Sequence, residues 1–331
     1  MKENTMKQRP GVSQVLKQFV HTKIFTLLVL LTLMIVVFTV ISNGAFLNPP
    51  NIRHILQATV VISLLTIGAG MLLIAGYIDL SLGGIGSMCA MMAAYLLRTG
   101  SPWFVAAAAA IALGGLCGLV NAVMVNEFRF QSFIATLATA SITQGFTAVI
   151  SGGRHIDIFD RTFNFIGGAR ILNNMVPISL IISLLLLILY GIALKNTKFG
   201  RSVYLVGGNT DASRLVGLRP KRISYMLFIN AGVLAAVAGM LLAGRMMTAN
   251  QIGITGSQFA GLTAAILGGI SLGGGTGGMG GALIGILILS GFNNGMTVVN
   301  VPPHWQTVAS GAILLIALTA DFISAKNRAK N

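Results

Sequence analysis

Long apolar runs follow one another along most of this chain, each separated from the next by a short interval that is polar or rich in glycine and proline. A helix that crosses a bilayer needs about 20 mostly apolar residues. Runs of that kind fall at roughly 24–41, 57–76, 80–97, 103–125, 133–151, 176–194, 223–244, 259–272, 280–299 and 307–323. The pattern predicts an all-α, polytopic transmembrane bundle of about ten spans. The first run is too long for a signal-peptide core and no small-residue cleavage pattern follows it, so it reads as a retained span. The expected organisation is a segment over 1–23, one membrane domain over 24–323 and a tail over 324–331, with a long loop at 152–175 and a polar loop at 195–222 inside the domain.

Lipid provides no hydrophobic drive for helix association, so small residues at every fourth position matter because they let backbones approach. Ala106, Ala110, Gly114, Gly118 and Ala122 form such a stripe in the fourth span, Ala231, Ala235, Gly239 and Ala243 in the seventh, and Gly277, Gly281 and Gly285 in the ninth. These three are expected to be interior helices. Two stretches read as helix interruptions of the kind that border transport pathways. In the first, Asp79 lies between apolar runs, just ahead of Gly83, and in the second the glycines at 268–278, including Gly273 and Gly275, are too dense for a continuous helix. Both carry the string Ser-Leu-Gly-Gly.

Composition agrees with a membrane protein: 55% of residues are hydrophobic, 9% are charged and the mean hydropathy is +0.85. The net charge of +15 is a topological signal. Cations favour the cytoplasmic side, and with both termini there, sixteen of the 22 fall inside: Lys2, Lys7, Arg9, Lys17, Lys23, Arg129, Lys195, Lys198, Arg201, Arg214, Arg219, Lys221, Arg222, Lys326, Arg328 and Lys330. Arg53, Arg98, Arg154, Arg161, Arg170 and Arg245 are the six outside. No nucleic-acid partner is needed to explain the charge. Cys89 and Cys117 fall inside spans and indicate no disulfide framework.

Little of the chain points to catalysis. Gly273, Gly275 and Gly278 spell G-x-G-x-x-G, but no strand precedes them and the next acid is Asp321, so a dinucleotide site is rejected. The chain contains no G-x-x-x-x-G-K-[ST] string, and any nucleotide energy must come from another subunit. His21, His54, His155 and His304 lack the pairing of a metal site, so neither metal nor cofactor is expected. Asp79 is the acid nearest a span interior, and it reads either as the N-cap of the third span, the favoured role, or as an ion-coupling carboxylate. Asn121, Thr136, Gln144, Asn230, Asn293 and Asn294 are candidates for a pathway that passes a neutral, hydroxyl-rich solute, with interhelical hydrogen bonding the alternative for each.

Residues 200–218 form the longest polar stretch between spans and predict a short exposed helix. Asn209 or Thr210 can cap it, Asp211 suits its N-terminal end, Arg214 its C-terminal end, and Gly217 can stop it before Pro220. Ala212, Leu215 and Val216 would then be available to a partner's groove. The loop at 152–175, with Phe159, Phe163 and Phe165, is long enough to suggest a second docking surface or a cap over the pathway. Trp103 and Trp305 suit interfacial anchoring.

Several motifs now converge on one group. Residues 76–83 (Gly-Tyr-Ile-Asp-Leu-Ser-Leu-Gly), 133–137 (Phe-Ile-Ala-Thr-Leu), 197–209 (Thr-Lys-Phe-Gly-Arg-Ser-Val-Tyr-Leu-Val-Gly-Gly-Asn), 212–218, 266–277 and 305–321 occur in the order found in the permease subunits of bacterial ATP-binding-cassette importers for monosaccharides such as ribose, xylose, arabinose and galactose. The chain resembles that family from about residue 25 to 325. The resemblance implies an inner-membrane, multi-pass subunit without enzyme activity of its own. It would pair with a second permease, as homodimer or heterodimer, with two cytoplasmic ATP-binding-cassette domains gripping 209–218 and a periplasmic sugar-binding protein outside. A monosaccharide or related small polyol would pass between the permeases. Gln258-Phe259-Ala260-Gly261 departs from the family, which usually carries two carboxylates there. A branched-chain amino acid permease is the alternative within the same class, and an ion-coupled secondary transporter the alternative from another.

Overall fold

The computed structural model describes residues 23–328. Residues 1–22 of the expected N-terminal segment and 329–331 of the tail, with the cations Lys2, Lys7, Arg9, Lys17 and Lys330, lie outside the described residues. The described chain forms thirteen α-helices: α1 (Lys23–Ile41), α2 (Pro49–Ile74), α3 (Leu82–Arg98), α4 (Trp103–Asn126), α5 (Ser132–Ser151), α6 (Arg161–Gly168), α7 (Ile178–Asn196), α8 (Lys198–Gly208), α9 (Thr210–Leu215), α10 (Pro220–Met246), α11 (Ser257–Leu267), α12 (Met279–Val298) and α13 (Pro303–Arg328). Most of each of the ten apolar runs lies in a helix of its own. Eight of these helices, α1, α2, α4, α5, α7, α10, α12 and α13, are long and apolar enough to cross a membrane, while α3 and α11 are shorter apolar helices.

The helix ends follow local chemistry. Pro49 and Pro220 stand in the first turns of α2 and α10, where the missing N–H has no partner to lose. The eighth run, expected to continue to 272, stops at Leu267 because Gly268-Gly269 begins a turn, with Gly269 at φ +90°.

Packing is by backbone contact between small residues. α3 crosses α10 where a Cβ added to Gly239 would lie 2.0 Å from the Gly86 carbonyl. α4 crosses α10 in the same way, a Cβ on Gly118 meeting the Phe228 carbonyl at 2.2 Å, and Gly285 of α12 approaches Ala264 of α11. The stripes in α4 and α10 are buried as expected. Their helices are not all interior, however. Only 22% of the most apolar stretch of α4 is buried, against 67% for α10, 50% for α12 and 78% for α2, which has no comparable stripe. A small-residue stripe marks one close neighbour, whereas an interior helix needs neighbours on every side, and α2 has α7, α10, α11 and α12 around it.

At the end of the bundle opposite α8 and α9, residues 152–177 fold over the helix ends. β1 (Ile156–Asp157) pairs antiparallel with the short segment Thr248–Ala249 that follows α10, here β4, and β2 (Arg170–Ile171) pairs with β3 (Val176–Pro177). Asp160 caps α6, its Oδ1 accepting from Phe163 N at 2.8 Å. Phe163 is buried while Phe159 and Phe165 stay exposed. Gly167 lets α6 lie directly on the last turns of α10, where an added Cβ would come within 2.6 Å of the Leu241 carbonyl.

Candidate functional site

The first interruption is built around Asp79. This carboxylate is 2% exposed, and its Oδ1 accepts from Ser81 N at 2.8 Å and Ser81 Oγ at 2.5 Å. The expected cap is therefore corrected: Ser81 is the N-cap of α3 and Asp79 closes a turn just before it. Asp79 stands two residues ahead of that cap, too early for its carboxylate to reach the free N–H groups of the first turn. Gly83 lies inside the first turn of α3, downstream of the interruption, where its missing Cβ makes room for Gln258 Oε1.

A buried polar chain leads away from this turn. Asn121 Nδ2 on α4 donates to Ser81 Oγ at 2.9 Å, and Thr139 Oγ1 on α5 donates to Asn121 Oδ1 at 2.6 Å. The backbone N–H groups of Ile78 and Leu80, which no helix can satisfy, donate to Ser132 Oγ at 3.0 Å and Thr136 Oγ1 at 3.1 Å on α5. Unpaired buried backbone groups are expensive, so these side chains are what allow an irregular turn inside the packed bundle. Asp79 Oδ2 is buried without a hydrogen-bond partner.

The second interruption meets the first through α8. Gly275 N donates to the Ile74 carbonyl at the end of α2, 2.8 Å away, and Tyr204 on α8 donates its hydroxyl to the Gly277 carbonyl at 2.7 Å. Gly207 fits into this junction because a Cβ there would lie 1.8 Å from the Ile74 oxygen. Gly273 and Gly275 belong to the turn, with Gly275 at φ +70°. Asp321 of α13 holds the turn from its other side, its Oδ2 accepting from Leu272 N at 2.9 Å and Ser271 Oγ at 3.1 Å.

From this seat α9 projects outward. Asn209 Oδ1 accepts from Ala212 N at 2.9 Å, and Asp211 pairs with Arg214 at 3.0 Å. Gly217 ends the segment at φ +81°, its N–H donating to the Arg214 carbonyl at 3.0 Å. Ala212 is exposed, and Leu215 and Val216 are 89% and 70% exposed. Beside it, Lys221 at the start of α10 donates to Glu127 Oε2 at 2.8 Å, and Tyr225 donates to Oε1 at 3.2 Å. The Lys221 hydrogen bond holds the Glu127 carboxyl below its ordinary range.

The six pathway candidates do not gather in one place. Asn121 and Thr136 belong to the polar chain beneath Asp79. Asn230 accepts from the Tyr190 hydroxyl, linking α10 to α7, and Asn293 accepts from Ser310 Oγ at 3.2 Å, linking α12 to α13. Asn294 is half-buried, with Oδ1 unpartnered. Gln144 alone among the six is exposed, on the outward face of α5 beside Ser141. Residues that sequence reasoning missed include Tyr204, Gly207 and Ser132, whose roles depend on partners far along the chain.

A family profile described as "Branched-chain amino acid transport system / permease component" matches residues 51–318. The ribose import permease RbsC of Escherichia coli K12 is 33% identical over 300 residues, 89% of this chain and 92% of that protein. The L-arabinose ABC transporter permease AraH of Azospirillum brasilense is 32% identical over 277 residues, 83% of this chain and 81% of that protein. The solved structure of PsaBC from Streptococcus pneumoniae in complex with Fab aligns with a TM-score of 0.43 and 16% identity, covering 82% of this chain and 91% of that one.

Proposed function

The chain belongs to the permease-component family of branched-chain amino acid type transport systems, and from that premise we propose that it is the translocation-pathway subunit of an ATP-driven importer for a monosaccharide or related small polyol. It is a multi-pass membrane protein. The individual relatives act as ribose and arabinose permeases, which favours a sugar over the amino acid of the family description.

The observation that carries the reading is α9. A short, capped helix with an exposed apolar tip stands on a seat where both helix interruptions converge. A partner that grips Leu215 and Val216 pulls on α8, and α8 is joined by backbone contacts to the end of α2 and to the 268–278 turn. In this reading α9 faces the cytoplasm and the gripping partner is an ATP-binding-cassette domain. Both termini lie on the same side, ten helices span, and α3 and α11 are the short pair, their interrupted ends supported by neighbours rather than by lipid.

The pathway lies between two permeases. Gln144 and Ser141 expose polar groups on a helix otherwise faced with Phe133, Leu137, Ile142 and Phe146. An amide pointing into lipid is unfavourable, so this face of α5 is assigned to the wet gap between subunits. The test is reconstitution in liposomes with the cognate ATPase and solute-binding protein. Uptake of a radiolabelled pentose or hexose that requires ATP is expected. ATP-independent uptake driven by an ion gradient, or uptake of leucine in place of sugar, would sink the reading.

A further inference from the structure

The chain between α10 and α11 does not stay at the end of the bundle. After Ala249, which closes the β1–β4 pair, residues 250–256 have neither helix nor strand and run along α3 toward its start. Ser87 anchors them: its Oγ donates to the Ile252 carbonyl at 3.0 Å and accepts from Ile254 N at 3.0 Å. Gln258 then lies on Gly83, one turn nearer the start of α3. Between the two, Ile254 fills the space over Gly86, where an added Cβ would meet its Cδ1 at 2.2 Å. Gly86 is also where α3 crosses α10, the same Cβ lying 2.6 Å from the Ala235 carbonyl. Ala235 stands eleven residues before the end of α10, about 16 Å along a helix axis. α11 therefore starts near the half-depth of the bundle, and its 11 residues cover about 16 Å, half of a bilayer core.

This start is open. No side chain caps α11; Gly256 holds the cap position at φ +92°, and a Cβ there would meet nothing within 4 Å. Gln258 is 7% exposed, and its Oε1 accepts from Gly256 N at 2.8 Å. Its Nε2 donates to no group among the described residues. A donor fixed in place with its partner missing is matched to one from outside the chain. Phe259 beside it is 44% exposed. The turn of α3 that carries Gln258 on Gly83 also carries Thr143 and Ala140 of α5 on Gly84. The start of α11 thus neighbours the stretch of α5 that exposes Ser141 and Gln144. Irregular backbone at membrane depth is tolerated only where protein buries it or water reaches it, and Ile252 and Gly256 are exposed.

We propose that the start of α11, Gly256–Phe259, is a contact point for the solute at mid-depth. Gln258 Nε2 and the first-turn N–H groups donate to hydroxyl oxygens, and Phe259 offers an apolar face to the ring carbons. The inference rests on the importer reading, which supplies the wet gap and the hydroxyl-rich solute.

The test uses the assembled transporter in nanodiscs, with Cys89 and Cys117 replaced by serine and one cysteine introduced at a time. Only a thiolate in water reacts with a charged methanethiosulfonate, so Phe259→Cys should react at least about tenfold faster than Leu33→Cys in the nucleotide-free or the nucleotide-trapped state. Leu33 is the control because it is 57% exposed on α1, whose apolar stretch is only 6% buried. Excess ribose or arabinose should slow the Phe259→Cys reaction about threefold or more, whereas leucine at the same concentration should not. Gln258→Glu keeps an acceptor for Gly256 N but removes the donor, so the sugar needed for half-protection should rise about threefold or more. Should Phe259→Cys fail to assemble, Ser257→Cys carries the same measurements. Reaction no faster than that of Leu33→Cys in both states overturns the inference. So does fast reaction that neither sugar slows, or half-protection unmoved by Gln258→Glu. ATP-dependent sugar uptake is measured in parallel: uptake intact with slow labelling sinks this inference alone, whereas absent uptake in the wild type sinks the importer reading itself.

Discussion

Leu215 stands 89% exposed at the tip of α9 and touches little of its own chain. Burying a leucine in a partner's groove contributes about 1.5–3 kcal/mol, and an aspartate there would contribute nothing and would need solvation. Leu215→Asp is therefore expected to leave thermal unfolding of the isolated chain within about 0.5 kcal/mol of wild type, while uptake per ATP hydrolysed collapses in the reconstituted complex. Normal coupling in that variant would count against α9 as the gripped element. Gly217→Pro is a blunter probe, because φ +81° is closed to proline and the N–H bond to Arg214 is lost. Asn121 behaves in the opposite way to Leu215. It is fully buried and joins Ser81 to Thr139, so Asn121→Leu should lower stability by about 1–3 kcal/mol, seen as a lower unfolding temperature in detergent. Glu127 provides a pH signature. Its carboxyl is held below the ordinary value by Lys221, so the stabilisation is present at neutral pH and disappears as pH falls through the depressed folded-state value. The difference in unfolding temperature between wild type and Glu127→Gln should accordingly be small at pH 7 and vanish in acid, and a difference that grew in acid would contradict the pairing.

At the scale of elements, two adjacent glycines separate packing from conformation. A Cβ on Gly207 would meet the Ile74 carbonyl at 1.8 Å, whereas a Cβ on Gly208 meets nothing within 4 Å. Gly207→Ala is expected to lift α8 from its seat and destabilise the junction by about 1–3 kcal/mol, lowering coupled uptake. Gly208→Ala should transport like the wild type, and equal loss in both would mean that the seat is not what matters. The same pair explains why α8 was hidden in the sequence. Gly200, Gly207 and Gly208 read as loop residues, yet Gly200 and Gly207 are small because the Leu194 and Ile74 carbonyls pass over them. α9 was legible because its signals are local: Asn209 at the start, Asp211 and Arg214 on the helix dipole, Gly217 at the stop. α6 falls in the stretch read as a loop, and although Asp160 caps it, its docking on α10 through Gly167 and Gly244 joins residues far apart in the chain.

For the whole molecule, the charge asymmetry and the two opposite faces make one reading testable at once. With Cys89 and Cys117 replaced by serine, single cysteines at Phe159 and at Leu215 should react with a membrane-impermeant maleimide from opposite sides, the first in intact cells and the second only in inverted vesicles. Labelling of both from the same side would break the ten-span topology. The exposed Gln144 face of α5 belongs to this scale as well, since the proposed reading sets it against a second permease.

Sequence alone determined the class, the ten apolar helices, the capped helix at 209–217 and the family motifs, because each rests on composition, on a periodic run or on chemistry within a few neighbouring residues. It did not determine what the repeated string Ser-Leu-Gly-Gly would do. At Ser81 it opens α3, with Gly83 against Gln258 and Gly84 against Thr143 and Ala140. At Ser271 the same four residues form a turn held by Asp321. Four residues with no side chain on two of them carry too little local preference to choose. Contacts made tens to hundreds of residues away chose for them, and contacts of the same kind seated α8, made α2 rather than α4 interior, and brought Arg161, Arg170 and Arg245 to one hollow.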